Sequence, residues 1–449
     1  MSSYETAIAR MYALGHELAQ TPSHKFDLAH MRVLLAALDN PERHFPSVLI
    51  AGTNGKGSTA ATLASVLQAS GLRTGLYTSP HLVRINERIQ IDRQQIGDDD
   101  FALVHDLVDR TAERLVGEGE LPWHPSFFEM LTAIAFEHFA RRKLDIAVLE
   151  VGMGGRLDAT NVVEPRVSVI TDISLDHQRF LGNTVAEIAA EKAGIIRPGG
   201  VVVTLPQQPQ ANDVIGSAIL ERGARVVNAV PYVPPVSPGS AQYLVSGTQT
   251  NPVSRYPLQV MGQQILVETP LIGRHQLRNV ALAIAAAEEL GRQGFPVTAG
   301  SIERGIRETQ WPGRFQVLAA ANEPEYVFDV AHNPAGAWAL RSTLSACYPE
   351  RRLIFIFGAM RDKAIGEMAE ILFPLAERVI ATHADNPRSA AAADIREAAS
   401  RTSTQIEEAA DVATALKLAR TPARPDAVVV ITGSIYIVGE AMRLLGARI

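Results

Sequence analysis

The sequence predicts an α/β fold: a mostly parallel, doubly wound domain over residues 1–310, followed by a smaller α/β domain over residues 311–449. Three observations predict it. Short apolar runs such as Ser47-Val48-Leu49-Ile50-Ala51 show no polar alternation, as expected of strands whose two faces are both covered by helices. These runs alternate with helical stretches along most of the chain. Trp311-Pro312-Gly313 punctuates the series, which then resumes.

In chain order, residues 5–38 read as two amphipathic helices separated by Thr21-Pro22-Ser23. A strand at 47–51 ends at a glycine and precedes a helix over 58–69. Strands follow at 74–77, 145–150, 167–170 and 201–203, with helices at 127–141 and 185–195. Between about Pro231 and Pro270 the texture turns to proline, serine, glycine and glutamine, which reads as loops and a small antiparallel sheet. Helices at 276–291 and 299–309 close the first domain. Strands at 326–328, 353–357, 379–380 and 428–431, with helices between, make the second. No internal repeat or low-complexity tail is present.

Composition narrows the function classes. The 449 residues, 47% hydrophobic and 20% charged, suit two or three globular domains. A net charge of -6 carries no electrostatic footprint for nucleic acid, and no basic run suggests membrane binding. No apolar run approaches the ~18 residues of a membrane span. Cys347 is the only cysteine, which excludes an internal disulfide and a cysteine-rich zinc site. The first residues lack the basic and apolar regions of a signal peptide, so a cytoplasmic location is expected. Small-molecule partners fit this balance better than macromolecular ones.

Gly52-Thr53-Asn54-Gly55-Lys56-Gly57-Ser58 lies between a predicted strand and a predicted helix. Glycines let backbone N–H groups curl around phosphate oxygens, and a helix N-terminus favours an anion. Lys56 can follow charge at the β- and γ-phosphates, and the Ser58 hydroxyl can reach a phosphate or a metal. The loop departs from the usual G-x-x-x-x-G-K-[ST] pattern: Ile50 holds the first glycine position, and Gly57 separates Lys56 from Ser58. The departure argues against a generic phosphate-loop kinase or motor. Glu150 ends an apolar strand, where a parallel sheet presents its ligand crevice, and a glycine-rich loop follows at once. A carboxylate there is a metal-ligand candidate on physical grounds alone, with an N-cap or a salt-bridged acid as the competing reading.

The loop resembles the signature of the Mur ligase superfamily in the form found in folylpolyglutamate/dihydrofolate synthases. The likeness continues through Tyr77–Ile89, Glu150–Asn161, Leu175-Asp176-His177 and Glu191-Lys192-Ala193-Gly194-Ile195. It resumes at Pro312-Gly313-Arg314-Phe315 and Asp329-Val330-Ala331-His332-Asn333-Pro334, so it covers nearly the whole chain. The resemblance implies a P-loop-type ATPase domain and a Rossmann-like C-terminal domain. It implies ATP contacts at Asn54, Gly55, Lys56, Gly57, Ser58, Asn279, Arg314 and Asp329. It implies two Mg²⁺ ions, the first held by Ser79 and Glu150 and the second by His177 and by Lys192 carrying a CO₂-derived carbamate. Lys56, Glu150, His177 and Lys192 are the expected catalytic set. Ser126, Gly155 and Arg156 are expected to contact the folate, with Phe26-Asp27-Leu28 nearby, and His332, Lys363 and Ser434 the incoming glutamate.

The implied reaction is ATP-dependent ligation of L-glutamate to a folate, to dihydropteroate, or to both, through an acyl phosphate, by an enzyme expected to be a monomer. A carboxylate is a poor electrophile, and both reacting partners are anions, so cations must bring them together. Competing readings are a sister ligase acting on a cell-wall precursor and a nucleotide-binding switch without ligase chemistry.

Overall fold

A computed structural model of the protein describes residues 3–15, 28–235, 252–319, 324–402, 404–420 and 427–449. The chain opens with helices α1 (Tyr4–Ala13) and α2 (Leu28–Ala37). Strand β1 (Ser47–Ala51) leads into α3 (Lys56–Ala69), and β2 (Thr74–Tyr77) follows. A short hairpin, β3 (Ile89–Ile91) and β4 (Gln94–Gln95), precedes α4 (Asp98–Gly117) and α5 (Phe127–Arg141). Then come β5 (Ile146–Glu150), β6 (Val167–Ile170), α6 (Gln178–Leu181), α7 (Val185–Ala193), β7 (Val201–Thr204), α8 (Pro209–Arg222) and β8 (Arg225–Asn228).

These strands form one sheet in the order β4-β3-β2-β5-β1-β6-β7-β8. From β2 across to β8 every pairing is parallel, and at the other edge β3 runs antiparallel to both β2 and β4. Strands β1, β5 and β6 are buried at every position, which is why their sequences do not alternate. Leu49 and Leu149 pack on one face with Met130 and Ile134 of α5. Val48, Ile50 and Val148 pack on the other with Leu63 of α3 and with Leu282, which lies in a long helix over Arg274–Arg292.

Strands β9 (Ser254–Val260) and β10 (Gln263–Thr269) form a separate antiparallel pair, as the 231–270 stretch predicts; residues 236–251 of it lie outside the described residues. Helices α9 (Arg274–Arg292) and α10 (Ala299–Arg307) return the chain to the first sheet. The second series runs β11 (Gln316–Leu318), β12 (Glu325–Phe328), α11 (Pro334–Cys347), β13 (Arg352–Phe357), α12 (Ile365–Leu372) and β14 (Ala376–Ala381). It ends with α13 (Ala392–Ala398), β15 (Ile406–Glu408), α14 (Val412–Arg420), β16 (Ala427–Thr432) and α15 (Ile435–Leu445). Its sheet order is β11-β12-β16-β13-β14-β15, parallel except at β11. Both sheets therefore present the carboxyl ends of parallel strands, where open α/β sheets bind ligands.

Helices α4 and α8, strand β8 and the β3–β4 hairpin add to the elements expected from sequence. Helix α4 starts with Asp98-Asp99-Asp100, acids that suit a helix N-terminus, and buries Phe101, Val104, Val108 and Leu115 on one face. The Thr21-Pro22-Ser23 separator lies outside the described residues. Among those described, no helix is long and apolar enough to cross a membrane.

Helices α3 and α10 cross at near-backbone contact. A Cβ on Gly305 would lie 2.4 Å from Val66 Cα, and Ser65 Oγ donates to the Gly305 carbonyl at 2.6 Å. Gly216, inside α8, has no atom within 4 Å of its missing Cβ. Gly305→Ala is therefore expected to destabilise the protein by about 1–3 kcal/mol through overpacking. Gly216→Ala, which only removes helix-interior flexibility, is expected to stabilise it by about 0.5–1 kcal/mol. Urea unfolding of the two variants checks the opposite signs.

Candidate active site

The Gly52–Ser58 loop leaves β1 at the centre of the first sheet, where the strand order reverses. Gly55 caps α3 at φ 89°, and a Cβ there would lie 2.1 Å from Asn279 Oδ1, so only glycine fits. A Cβ on Gly57 would lie 2.6 Å from Trp311 Cζ2, which explains the extra glycine between Lys56 and the buried Ser58. The Thr53 and Asn54 N–H groups donate to the Asp172 carbonyl at 2.9 and 3.1 Å. The Asp172 side chain receives Arg278 from α9, Nη2 to Oδ1 at 2.6 Å and Nε to Oδ2 at 3.0 Å. The loop is thus held in shape by its neighbours. Lys56 Nζ donates to the Thr53 carbonyl at 3.2 Å.

Lys192 projects from α7 toward the same loop. Its Nζ is buried and donates to the Gly52 carbonyl at 2.7 Å. Burial, with the nearby positive charge of Lys56, lowers its pKa to about 7. Glu150, at the end of β5, is 4% exposed and accepts from the Ser79 N–H through Oε2 at 3.2 Å. Burial raises the pKa of Glu150, and Lys56 partly opposes that shift. No basic side chain lies within ion-pair distance of Glu150 among the described residues. A buried carboxylate without a cation at contact fits a hard metal ion. His177 begins α6 in the left-handed region, φ 50°. Burial lowers its pKa to about 3, so the ring is neutral at pH 7 with a lone pair available to a metal. Among the described residues no three His, Cys, Asp or Glu side chains cluster as a metal site. Hydroxyl and phosphate oxygens would have to complete any shell here.

Asp176 is the hub that joins the two sheets. Lys363 Nζ donates to its Oδ1 at 2.6 Å, Asn333 Nδ2 to its Oδ2 at 3.1 Å, and His332 Nε2 lies 3.5 Å from Oδ2. Burial acts to raise the pKa of Asp176, but His332, His177 and Lys363 together hold it well below the ordinary carboxylate range. Asn333 Nδ2 also donates to Asn54 Oδ1 at 3.0 Å, so the phosphate-type loop is tied to the N-terminus of α11.

Two cavities meet here. The larger, about 460 Å³, is lined by the Gly52–Ser58 loop and by Glu150, Lys192, Asn279, Asp329 and Ala339. The smaller, about 170 Å³, is lined by Met31, Ser126, Phe128, Asp158, Lys363 and Ser434, with Leu28 at its edge. Ser79, Gly152, His177, Arg314 and His332 line both. Asp329 is buried and accepts from the Phe315 and Ala331 N–H groups at 3.0 and 2.9 Å; burial raises its pKa to about 6, with Arg314 opposing. Arg314 follows the linker and lies over Trp311 at 5.8 Å.

Most residues singled out in the sequence thus converge on these two cavities. Gly155 and Arg156 stand apart: the missing Cβ of Gly155 faces the Glu191 carbonyl at 2.8 Å, and Arg156 pairs with Glu191 at 2.7 Å on the surface. Ser126 caps α5 through Glu129, and Ser434 caps α15, and both line the smaller cavity. Phe26-Asp27 lies outside the described residues. The structural roles of Asn333, Asp172 and Arg278 were not anticipated, although Asp176 and Asn333 fall inside quoted motifs.

The described Mur ligase middle domain matches residues 128–287, and the Mur ligase glutamate ligase domain matches residues 313–435. A dihydrofolate synthase/folylpolyglutamate synthase of Bacillus subtilis is 34% identical over 424 residues, covering 93% of this chain and 94% of that protein. The crystal structure of Mycobacterium tuberculosis folylpolyglutamate synthase with ADP and AMPPCP superposes with a TM-score of 0.86 at 33% identity, covering 98% and 99% of the two chains. Escherichia coli FolC in complex with DHPP and ADP superposes with a TM-score of 0.81 at 28% identity, covering 99% and 98%.

The Asp176–Lys363 pair carries a stability consequence. Lys363→Met leaves the Asp176 carboxylate buried without its closest cation and is expected to cost about 3–5 kcal/mol at pH 7. Adding Asp176→Asn removes the stranded charge and is expected to restore most of that loss. A double-mutant cycle in urea checks the coupling.

Proposed function

This chain belongs to the folylpolyglutamate/dihydrofolate synthase family of Mur-type ligases and is an ATP-dependent ligase, and from that premise we propose how its residues join L-glutamate to a folate or to dihydropteroate. The observation that carries the reading is the shared wall of the two cavities. A nucleotide-sized space and a space with aromatic and apolar walls meet where Ser79, His177, Arg314 and His332 stand, with Glu150 on the nucleotide side. The family membership favours the folate branch over a cell-wall ligase.

ATP occupies the larger cavity, with its phosphates in the Gly52–Ser58 backbone and beside Lys56. Asn279, Arg314 and Asp329 complete its contacts, Arg314 meeting phosphate charge and Asp329 the ribose hydroxyls. The folate or dihydropteroate rings lie in the smaller cavity against Phe128 and Met31, near Ser126, with their carboxylate at the junction. Ser79 and Glu150 would hold one Mg²⁺, and His177 with carbamylated Lys192 a second. Bound there, the ions supply positive charge that lets two anions approach.

The substrate carboxylate then attacks the γ-phosphorus of ATP, ADP departs, and an acyl phosphate forms. Lys56 and Arg314 hold the charge that moves onto the leaving phosphate. The free α-amine of glutamate, oriented by His332, Lys363 and Ser434, displaces phosphate and leaves an amide. The 1–310 and 311–449 units act as two domains, and the junction between them excludes water from the acyl phosphate.

Carbamate formation joins the neutral Lys192 amine to CO₂ and releases one proton, and the carbamate would supply a negative oxygen donor in place of a cation. With its pKa near 7, the amine is largely neutral above pH 7 and protonated below it. The same shift means that an unmodified chain gains stability as pH rises from about 7 toward the unfolded lysine value, because only the unfolded state holds the proton there.

Two outcomes follow. With ATP, Mg²⁺ and glutamate, and with dihydropteroate and tetrahydrofolate supplied separately, ADP release requires both glutamate and a pteroate substrate. Mass analysis identifies the amide products, and turnover indifferent to both substrates overturns the reading. CO₂-depleted enzyme is expected to regain activity on incubation with bicarbonate at pH 8 but not at pH 6. Lys192→Gln is expected to lose kcat on the order of 100-fold and to show no bicarbonate response. A native mass without the CO₂ increment counts against the carbamate.

A further inference from the structure

Three loops leave the carboxyl ends of parallel strands in the second sheet and meet at the smaller cavity. The loop after β13 brings Lys363, the loop after β14 brings Arg388, and the loop after β16 brings Ser434. The backbone of Arg388 is well fixed. Its N–H donates to Asn386 Oδ1 at 2.9 Å, and its carbonyl accepts from the Arg361 N–H at 3.0 Å. A bridge between Met360 and Ser389 joins the first two loops.

The guanidinium itself is little used. It makes one ion pair, Nη2 to Asp362 Oδ1 at 3.1 Å, and that carboxylate is 47% exposed. An exposed pair of this kind contributes little. Nε and Nη1 have no acceptor among the described residues, so most of a rigid donor fork remains available to a ligand in the cavity it lines.

Position decides which group it would meet. Lys363 is bound at 2.6 Å to Asp176, which lines the larger cavity, so Lys363 stands at the junction. Arg388 lines only the smaller cavity. An amino acid attacking at the junction with its α-amine keeps its α-carboxylate there too, within reach of Lys363 and Ser434. Its side chain must extend away from the junction. We propose that Arg388 is a specificity-determining residue that grips the side-chain carboxylate of the incoming glutamate. Two parallel N–H groups match a carboxylate, whereas a side-chain amide turns its own N–H donors toward the fork. This inference rests on the glutamate-ligase reading.

The test is steady-state kinetics on the full chain with ATP, Mg²⁺ and a pteroate substrate, varying each reactant. Arg388→Ala raises KM for glutamate on the order of 100-fold, the scale of a charge-assisted hydrogen bond pair. At saturating glutamate kcat stays within about threefold, as do KM for ATP and for the pteroate, as a grip on glutamate alone requires. Preference for glutamate over glutamine, as a ratio of kcat/KM, falls by a similar factor. Asp362→Asn keeps the fork and leaves KM for glutamate within about twofold. An unchanged KM for glutamate overturns the proposal. So does a rise confined to the pteroate KM, which would assign the fork to the folate tail. Reproduction of the effect by Asp362→Asn would reduce Arg388 to a loop brace and also overturn it. If Arg388→Ala does not fold, Arg388→Lys decides: a glutamate-selective rise in KM supports the proposal, and an equal rise for all three substrates refutes it. Failure of the underlying reading looks different, since the wild-type chain would then show no glutamate-dependent turnover at all.

Discussion

A single buried carboxylate, Asp176, holds together the two halves of the site. It lies beyond the end of β6 in the first sheet, and its partners Lys363, His332 and Asn333 all come from the second. Lys363 lies 2.6 Å from it with both side chains nearly buried. Charges removed from water in this way are stable only while each keeps the other. The pair therefore fixes how the two sheets face one another, and the cavities on either side take their shape from it. Through Asn333 the same carboxylate reaches Asn54 and so the phosphate-type loop.

The rest of the site follows from a problem of like charges. Joining two carboxylate-bearing molecules with the help of a triphosphate requires cations where the anions meet. The protein places Lys56 and Arg314 there and leaves Glu150 buried with only a backbone N–H at its oxygen. Burial acts on these groups in opposite senses. It raises Glu150, which favours filling its surroundings with a cation, and lowers Lys192 far enough that a neutral amine exists near pH 7.

Parallel sheets make this arrangement possible. A parallel strand ends at the same edge as its neighbours, so the loops after β1, β5 and β6 emerge side by side, as do those after β13, β14 and β16. Facing two such edges toward each other brings six loops together without any long excursion of the chain. The linker at Trp311-Pro312-Gly313 lies directly behind the junction, with Trp311 against Gly57 and Arg314 over its ring.

Much of this was legible in the sequence. Uninterrupted apolar runs identified the buried parallel strands, because such strands meet helices on both faces and have no solvent side to mark. The glycine spacing around Lys56 identified the loop, since a left-handed cap at Gly55 and close approach at Gly57 admit no other residue. Quoted motifs located Glu150, His177, Lys192 and Arg314 beside one crevice. What sequence did not determine was who meets whom. Lys363 and Asp176 are 187 positions apart, and Asn54 and Asn333 are 279 apart. Nothing in the local chemistry of a lysine or an asparagine names its partner at that distance. Gly155 and Arg156 show the converse: adjacent to the right motif, they turn toward α7 rather than into the cavity. Local pattern determined the strands, the loop and the reactive side chains. Only the packing of the two sheets decided which charges became buried together, because burial and pairing are properties of the assembled crevice.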